Sequence, residues 1–276
     1  MMSSKILYTS GCSFSAKDWV ITDQNKMDGY ETGPHPMWPD ILAKRLNLTP
    51  INTACAGMGN DYILATSMRY ILDNHENIEL VAIQWSQITR MWVYDIPRYG
   101  FFNPSVWLDE ENRKYDQWGP DFVGFPYIFG DPWKASQKVM DYVLLHPQNM
   151  MWMFNRWLRE IYTLQKLCEK LEVNYIFAQG FEPHQLDPWR HLNPDLDWER
   201  TLKLFIDHPD FDRINEKKFI GWPCIAELGG STLTDGNPDF KPWPKNRMNP
   251  RDPHPNANGQ HLLADQYYKK YQELYK

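Results

Sequence analysis

Short apolar runs, each long enough for one strand, recur along the chain. Lys5 to Ser10 is rich in β-forming residues and is followed at once by Gly11, which predicts a buried strand leading into a tight turn. Glu79 to Gln84 contains a continuous apolar stretch of the kind found in the centre of a parallel sheet. Three further segments are predicted as strands: Ile51 to Ala54, Val173 to Ala178 and Lys218 to Ile220.

Between these runs, apolar residues recur at helical spacing. One helix is predicted from Trp38, with Pro39 suited to its first turn, and another opens at Asp61. Met150 to Leu171 has the clearest apolar stripe, and a last helix is predicted from about Asn258 to Leu274. Because strands alternate with helices, the chain is predicted to be an α/β layer fold with a mainly parallel sheet.

Two segments, residues 91–148 and 180–250, interrupt this alternation and are rich in aromatic residues, Pro and Gly. Segments of this length without regular structure are uncommon in compact domains unless they carry function. We therefore interpret them as insertions or lids around one site, and residues 1–276 as a single domain. The chain holds 13 Trp, 15 Tyr and 13 Phe. Two interpretations stay open: these rings form a binding surface for sugars or other flat ligands, or they fill irregular loops.

Charge and hydropathy exclude several classes of partner. The net charge is −6 and no basic tract is present, which argues against nucleic acid and anionic membranes as main partners. No apolar run reaches the length of a membrane span, and the N-terminus is too short and polar before Gly11 for a signal peptide. Four cysteines without metal-site spacing predict reduced thiols in a cytoplasmic protein.

The candidate chemistry lies at the two ends of the chain. Ser13 follows the first predicted strand, and a serine in this position projects its hydroxyl at the carboxyl edge of the sheet, where open α/β folds bind ligands. A nucleophilic serine needs a base and a carboxylate that orients it, and Asp252 and His254 could supply both from one loop. The alternatives are an ordinary Gly-x-Ser turn and a surface histidine before a helix.

Together the two ends resemble the SGNH (GDSL-like) hydrolase family. Gly11-Cys12-Ser13 matches its first block, with Cys12 where Asp is usual. Asp252-Pro253-His254-Pro255 matches its last block, with one residue between acid and base instead of two. The resemblance implies a three-layer α/β/α sandwich with a mainly parallel, five-stranded, flavodoxin-like sheet. It also implies a catalytic triad of Ser13, His254 and Asp252, with no metal and no organic cofactor.

The middle of the chain matches the family less closely. Asn52 to Asn60 resembles the second block, which implies that Gly57 donates its backbone N–H to the oxyanion and that Asn60 could add a side-chain donor. The alternative is a strand–turn–helix joint capped by Asn60 or Asp61. In the third block Ser86, or else Gln87, stands near the place of the family's Asn. The predicted oxyanion hole therefore comprises Ser13, Gly57, Ser86 and Asn60, with Gln87 as the alternative to Ser86.

The implied reaction is hydrolysis of an ester through a seryl intermediate, and the aromatic insertions favour a carbohydrate or aryl ester, as in O-deacetylation of a glycan. Two alternatives are a degenerate domain that binds glycans in a phage particle, and an O-acyltransferase. The chain also resembles a branch of the family from bacteriophages and marine bacteria, with Gly-Cys-Ser-Phe early and Trp-Ser before an Arg. A phage-encoded protein of this kind could be virion-associated. His184 and His191 are interpreted as surface residues.

Overall fold

The fold is described from a computed structural model of the chain. The described residues are 5–17, 35–88, 90, 93–95, 100–102, 147–180, 202–203, 205–234, 236–241, 245–248 and 254–276. They form a parallel sheet of five strands: β1 (Ile6–Ser10), β2 (Thr49–Asn52), β3 (Ile78–Trp85), β6 (Tyr175–Gln179) and β7 (Phe219–Ile220). Two further strands, β4 (Val93–Asp95) and β5 (Gly100–Phe102), pair as an antiparallel hairpin inside the first predicted insertion.

The order of the strands across the sheet is β2-β1-β3-β6-β7. Register is set by parallel pairs such as Tyr8 with Val81 and Ile83 with Phe177. This order places β1 and β3 side by side at the point where the chain changes direction across the sheet. In open α/β sheets, ligands bind beyond the carboxyl ends of the strands at such a point. Ser13 follows β1 and Ser86 follows β3, so both predicted site residues lie at this edge.

Within the described ranges, four helices of eight or more residues cover the two faces of the sheet: α1 (Trp38–Leu46), α2 (Asn60–Asn74), α3 (Pro147–Lys170) and α4 (Ala257–Tyr275). The same ranges include three short 3-10 helices at His75–Asn77, Glu216–Lys218 and Ala226–Leu228. In α1, Pro39 occupies the first turn, where its missing N–H costs no hydrogen bond. Asn256 precedes α4 and caps it, because its side chain accepts a hydrogen bond from the N–H of Gly259.

The alternation of side chains along the strands divides the apolar core in two. Leu7, Leu80 and Ile176 face α1 and α4, where the Trp38 ring stacks on that of Tyr267 at 4.3 Å between centroids. The opposite side chains pack against α2 and α3; they include Tyr8, Val81, Ile83, Trp85, Tyr175 and Phe177. The predicted three-layer α/β/α sandwich with a five-stranded, mainly parallel sheet is thereby confirmed.

The predicted elements are present with shifted ends. The second strand is Thr49–Asn52 rather than Ile51 to Ala54, because its pairing with β1 begins at Thr49. The third helix is Pro147–Lys170, and the last is Ala257–Tyr275. Among the described helices, none is both long enough and apolar enough to cross a membrane.

Candidate active site

The turn after β1 carries Ser13. The backbone N–H groups of Ser15 and Ala16 both donate to the carbonyl oxygen of Cys12, at 2.9 and 3.0 Å, so the chain closes a helical turn directly after the strand. Gly11 enters this turn with no room for a side chain, since a Cβ there would lie 2.6 Å from the Ser15 hydroxyl oxygen. The tight turn predicted from the Gly11 to Ser13 segment is therefore what the chain forms.

His254 lies in the loop before α4, and backbone hydrogen bonds hold this loop on both sides of it. The N–H of Met248 donates to the carbonyl oxygen of His254 at 2.9 Å, and the N–H of Asn256 donates to that of Asn246 at 3.0 Å. The Asn256 side chain extends this pairing, because its Nδ2 donates to the carbonyl oxygen of Arg247 at 3.1 Å. The histidine is thus positioned by a short backbone ladder.

The structure brings Ser13 and His254 into direct contact. The distance from Ser13 Oγ to His254 Nε2 is 2.7 Å, and each residue is only 5% exposed. The ring of Phe14 packs on the imidazole with 4.8 Å between centroids. When the proton of the neutral imidazole is on Nδ1, Nε2 accepts the hydroxyl hydrogen of Ser13. This is the contact that a serine nucleophile and its general base require.

Asp252, the predicted acid of the triad, lies outside the described residues, and its role stays a prediction. His184 and His191 also lie outside them. Across the part of the chain that the structure describes, no group of three or more His, Cys, Asp or Glu side chains could hold a metal ion.

Gly57 lies in a loop that approaches the nucleophile turn. The N–H of Cys55 donates to the carbonyl oxygen of Gly11 at 3.2 Å, and that of Met58 closes a turn on Cys55 at 3.4 Å. Gly57 has φ = 77° in this turn, in the left-handed region that favours glycine. The loop that carries the predicted oxyanion donor is therefore anchored to the turn that carries Ser13. That Gly57 donates its N–H to an oxyanion stays a prediction.

Asn60 and Ser86 are buried and bonded to each other. The N–H of Ser86 donates to Asn60 Oδ1 at 2.6 Å, and Asn60 Nδ2 donates to the carbonyl oxygens of Ser86 at 3.0 Å and Gln87 at 3.4 Å. Asn60 thereby links α2 to the end of β3, and its role as an oxyanion donor stays a prediction. Gly59 is the N-cap residue of α2, so the alternative in which Asn60 or Asp61 caps this helix is wrong.

The hydroxyl of Ser86 has a partner that the sequence had not suggested. Arg90 Nη1 donates to Ser86 Oγ at 3.1 Å, and the Cys12 thiol is a second hydrogen-bond neighbour of the guanidinium. Burial lowers the pKa of the Arg90 guanidinium, while its contact with Cys12 acts in the opposite direction. The only sequence signal was the position of an Arg four residues after Ser86, which indicates neither its burial nor its contacts.

A second buried network joins the nucleophile turn to the sheet and to α1. Ser15 Oγ donates to Gln84 Oε1 and accepts from Trp38 Nε1 at 2.9 Å. The backbone N–H of Trp38 donates to Gln260 Oε1 at 2.9 Å. None of these four side chains was a predicted site residue. The only signal in the sequence was a polar residue within an otherwise apolar segment, as at Gln84. Their hydrogen bonds tie the nucleophile turn to β3, α1 and α4.

Many of the aromatic side chains are in the core. Trp38, Trp85 and Trp157 are fully buried, and Trp157 stacks on Phe205 and Trp222 of the second predicted insertion. Because Trp38, Trp85 and Trp157 belong to α1, β3 and α3, these three rings form neither a binding surface nor the filling of an irregular loop. Trp152 is an exception at 50% exposure, with the Arg156 guanidinium 5.2 Å from its ring. A cavity of about 420 Å³ lies at the surface of residues 211–222, and its lining includes neither Ser13 nor His254.

Neither a sequence-family profile nor a curated protein sequence matches the chain. Solved structures of similar fold include a psychrotrophic esterase from Pseudoalteromonas sp., with 14% identity, a TM-score of 0.42, and 98% of this chain and 97% of the other covered. A mutant of an acetyl-xylooligosaccharide esterase from Geobacillus has 13% identity, a TM-score of 0.42 and coverages of 98% and 95%. A G-D-S-L family protein from Desulfitobacterium hafniense has 10% identity, a TM-score of 0.41 and coverages of 96% and 99%. These are distant likenesses, and function is inferred from this chain's own residues.

Proposed function

We propose that this protein is a serine esterase of the SGNH type. The observation that carries the proposal is the 2.7 Å contact between Ser13 Oγ and His254 Nε2, buried at the carboxyl edge of the sheet. Acyl transfer by a serine requires that its hydroxyl lie within hydrogen-bond reach of a general base, and this contact meets that requirement.

In the proposed reaction, His254 Nε2 takes the hydroxyl proton as Ser13 Oγ attacks the ester carbonyl. The resulting tetrahedral oxyanion accepts hydrogen bonds from the backbone N–H groups of Ser13 and Gly57 and from the Ser86 hydroxyl. His254 then protonates the leaving alcohol, which leaves an acyl group on Ser13. Water, deprotonated by His254, hydrolyses this seryl ester and restores both residues. Asp252 is proposed to orient the imidazole.

For the substrate we propose a short acyl ester of a carbohydrate, with O-deacetylation as the reaction. The support for this choice is the density of aromatic residues in segment 91–148, because aromatic rings present flat apolar faces to sugar rings. A long acyl chain would require an extended aliphatic channel instead. An O-acyltransferase would use the same residues with a sugar hydroxyl in place of water.

The second candidate function is glycan binding without catalysis. The observation that favours it is Ser86, since a hydroxyl stands where the family has an Asn amide donor. The loss of an oxyanion donor costs on the order of a hundredfold or more in rate. A domain that had lost catalysis would keep the fold and a sugar-binding surface.

One experiment separates the two candidates. Wild type and Ser13→Ala are incubated with p-nitrophenyl acetate, with an acetylated xylo-oligosaccharide, and with a fluorophosphonate probe that labels activated serines. The esterase proposal predicts acetate release and labelling of the wild type, both abolished in Ser13→Ala. If the folded wild type shows neither while binding the deacetylated oligosaccharide, the binding function replaces it. Acetyl transfer to an added sugar in preference to water would indicate the transferase.

A further inference from the structure

Arg90 contacts Ser86, one of the proposed oxyanion donors. It ends the turn that follows β3, where its N–H donates to the carbonyl oxygen of Gln87 at 3.3 Å, and only 7% of its surface is exposed. Its guanidinium contacts the Ser86 hydroxyl and the thiol of Cys12, the residue before the nucleophile. The Arg90 guanidinium therefore contacts the residues that follow both β1 and β3, the two strands from whose ends the proposed site is built.

Neighbouring residues hold the backbone of Arg90 in place. Arg156 of α3 donates from Nη2 to the carbonyl oxygens of Arg90 at 2.6 Å and Ile88 at 3.0 Å. Gly59 lies so close that a Cβ there would be 2.8 Å from the Arg90 carbonyl oxygen. Burial of a charged group is costly, and an arginine keeps its proton in proteins rather than becoming neutral. A buried positive charge beside Ser86 is well placed to oppose negative charge that develops next to it.

The backbone groups and the hydroxyl oxygen of Ser86 are bonded to neighbouring residues, and its hydroxyl hydrogen is the group we assign to an oxyanion. Its N–H is bonded to Asn60, and its carbonyl oxygen accepts from Asn60 and from Gln179 Nε2 at 2.8 Å. Its Oγ accepts from Arg90, and a serine hydroxyl has one hydrogen of its own. A hydrogen bond accepted from a charged donor polarises the O–H bond, which strengthens the hydrogen bond that this hydroxyl donates in turn.

We infer that Arg90 is a positioning residue of the oxyanion hole, which holds and polarises the Ser86 hydroxyl so that it replaces the family's Asn as an oxyanion donor. This inference rests on the proposed function. Arg90 touches no substrate atom in this arrangement and transfers no proton. It acts through Ser86, and its charge lies behind the hydroxyl rather than in contact with the substrate.

The test is a double-mutant cycle on hydrolysis of p-nitrophenyl acetate, with Ser86→Ala, Arg90→Met and the double variant. Ser86→Ala keeps every backbone hydrogen bond of residue 86. We expect each single variant to lower kcat about tenfold to a hundredfold while KM changes less than twofold, because the lost interaction forms only in the transition state. The double variant should be no slower than the slower single variant. Arg90→Lys, which keeps the charge, should recover part of the loss.

Several results would overturn the inference. They are an unchanged kcat in Ser86→Ala, multiplicative losses in the double variant, or a higher KM at constant kcat. If Arg90→Met does not fold, as shown by circular dichroism, Ser86→Ala and Arg90→Lys still decide. Arg45→Lys, a conservative change on the exposed face of α1, is the control and should match wild type. Failure of the proposed function gives a different result: wild-type turnover would be absent, or it would survive in Ser13→Ala. Either of these results would also overturn the inference about Arg90.

Discussion

Gln260 of α4 donates a hydrogen bond from Nε2 to the carbonyl oxygen of Phe14, 3.3 Å away. The same side chain accepts from the N–H of Trp38. The helix that follows the His254 loop is therefore bonded to the residue that follows Ser13. The two halves of the proposed catalytic pair come from opposite ends of the chain, and Gln260 connects the elements that carry them.

Replacement of Gln260 by Leu should loosen this connection. The substitution leaves two buried backbone groups without their partner, so we expect a loss of about 1–3 kcal/mol in the free energy of unfolding. We also expect kcat for p-nitrophenyl acetate to fall severalfold, because Ser13 and His254 are less well aligned. Urea unfolding and steady-state kinetics provide the two measurements. Gln272→Leu, farther along the same helix, is the control. A stable Gln260→Leu variant with wild-type kcat would show that the connection is not needed.

Ser13 and His254 should behave as one unit. We expect Ser13→Ala and His254→Ala each to lower kcat at least about a thousandfold, and the double variant to be no slower than either, because each residue acts only through the other. His261→Ala, on the exposed side of α4, is the control for removal of an imidazole and should retain activity. Losses that multiply in the double variant would mean that the two residues act independently, against the proposed mechanism.

The fold could be predicted from the sequence because its main signals are local. The apolar runs at β1, β3 and β6 and the periodicity of α3 and α4 each arise within a few residues. The ends of β2 were shifted because they depend on pairing with β1, and no local pattern specifies which residue of one strand faces which residue of the next.

The candidate site was predictable only in part for the same reason. Ser13 and His254 follow a strand and precede a helix, and their placement could be inferred from those positions. The roles of Asn60 and Arg90 depend on which groups surround them after folding. Asn60 has donors that could serve an oxyanion, but α2 and β3 bring it against two carbonyl oxygens. From the sequence alone Arg90 would be assigned to the surface, as most arginines are, because its burial and its contact with Ser86 arise only on folding.

Gly57 and Gly229 offer a matched pair for the oxyanion loop. Both have positive φ, 77° and 80°, and a Cβ on Gly229 would meet open space. Alanine at either position should therefore cost about 1–2 kcal/mol of stability through backbone strain. Only Gly57→Ala should also lower kcat, about tenfold or more, because a shift of this loop misplaces the proposed N–H donor. Thermal unfolding and kinetics of both variants test this, and equal kcat values would remove Gly57 from the proposed oxyanion hole.

Glu160 on α3 should make the protein less stable as the pH rises. Burial raises the pKa of this carboxyl to about 8, the Arg156 guanidinium 3.5 Å away opposes that shift, and Asp61 adds to it. Between the unfolded value of 4.5 and about 8, the unfolded chain has released a proton that the folded chain keeps. The contribution of this group to folding stability therefore declines across that range, by at most about 1.4 kcal/mol per pH unit, and is constant above it.

Glu160→Gln removes this titration while it preserves the shape of the side chain. We expect the free energy of unfolding of the variant, measured in urea and taken relative to wild type, to increase between pH 5.5 and pH 8. Glu169→Gln is the comparison with opposite sign. Burial raises the pKa of Glu169, but hydrogen bonds from Lys166 and Tyr175 outweigh it and lower the pKa overall. Its contribution is lost only as the pH falls below the unfolded value, so this variant should run parallel to wild type over the same range. Parallel behaviour of Glu160→Gln would instead mean that its carboxyl is already ionised in the folded protein.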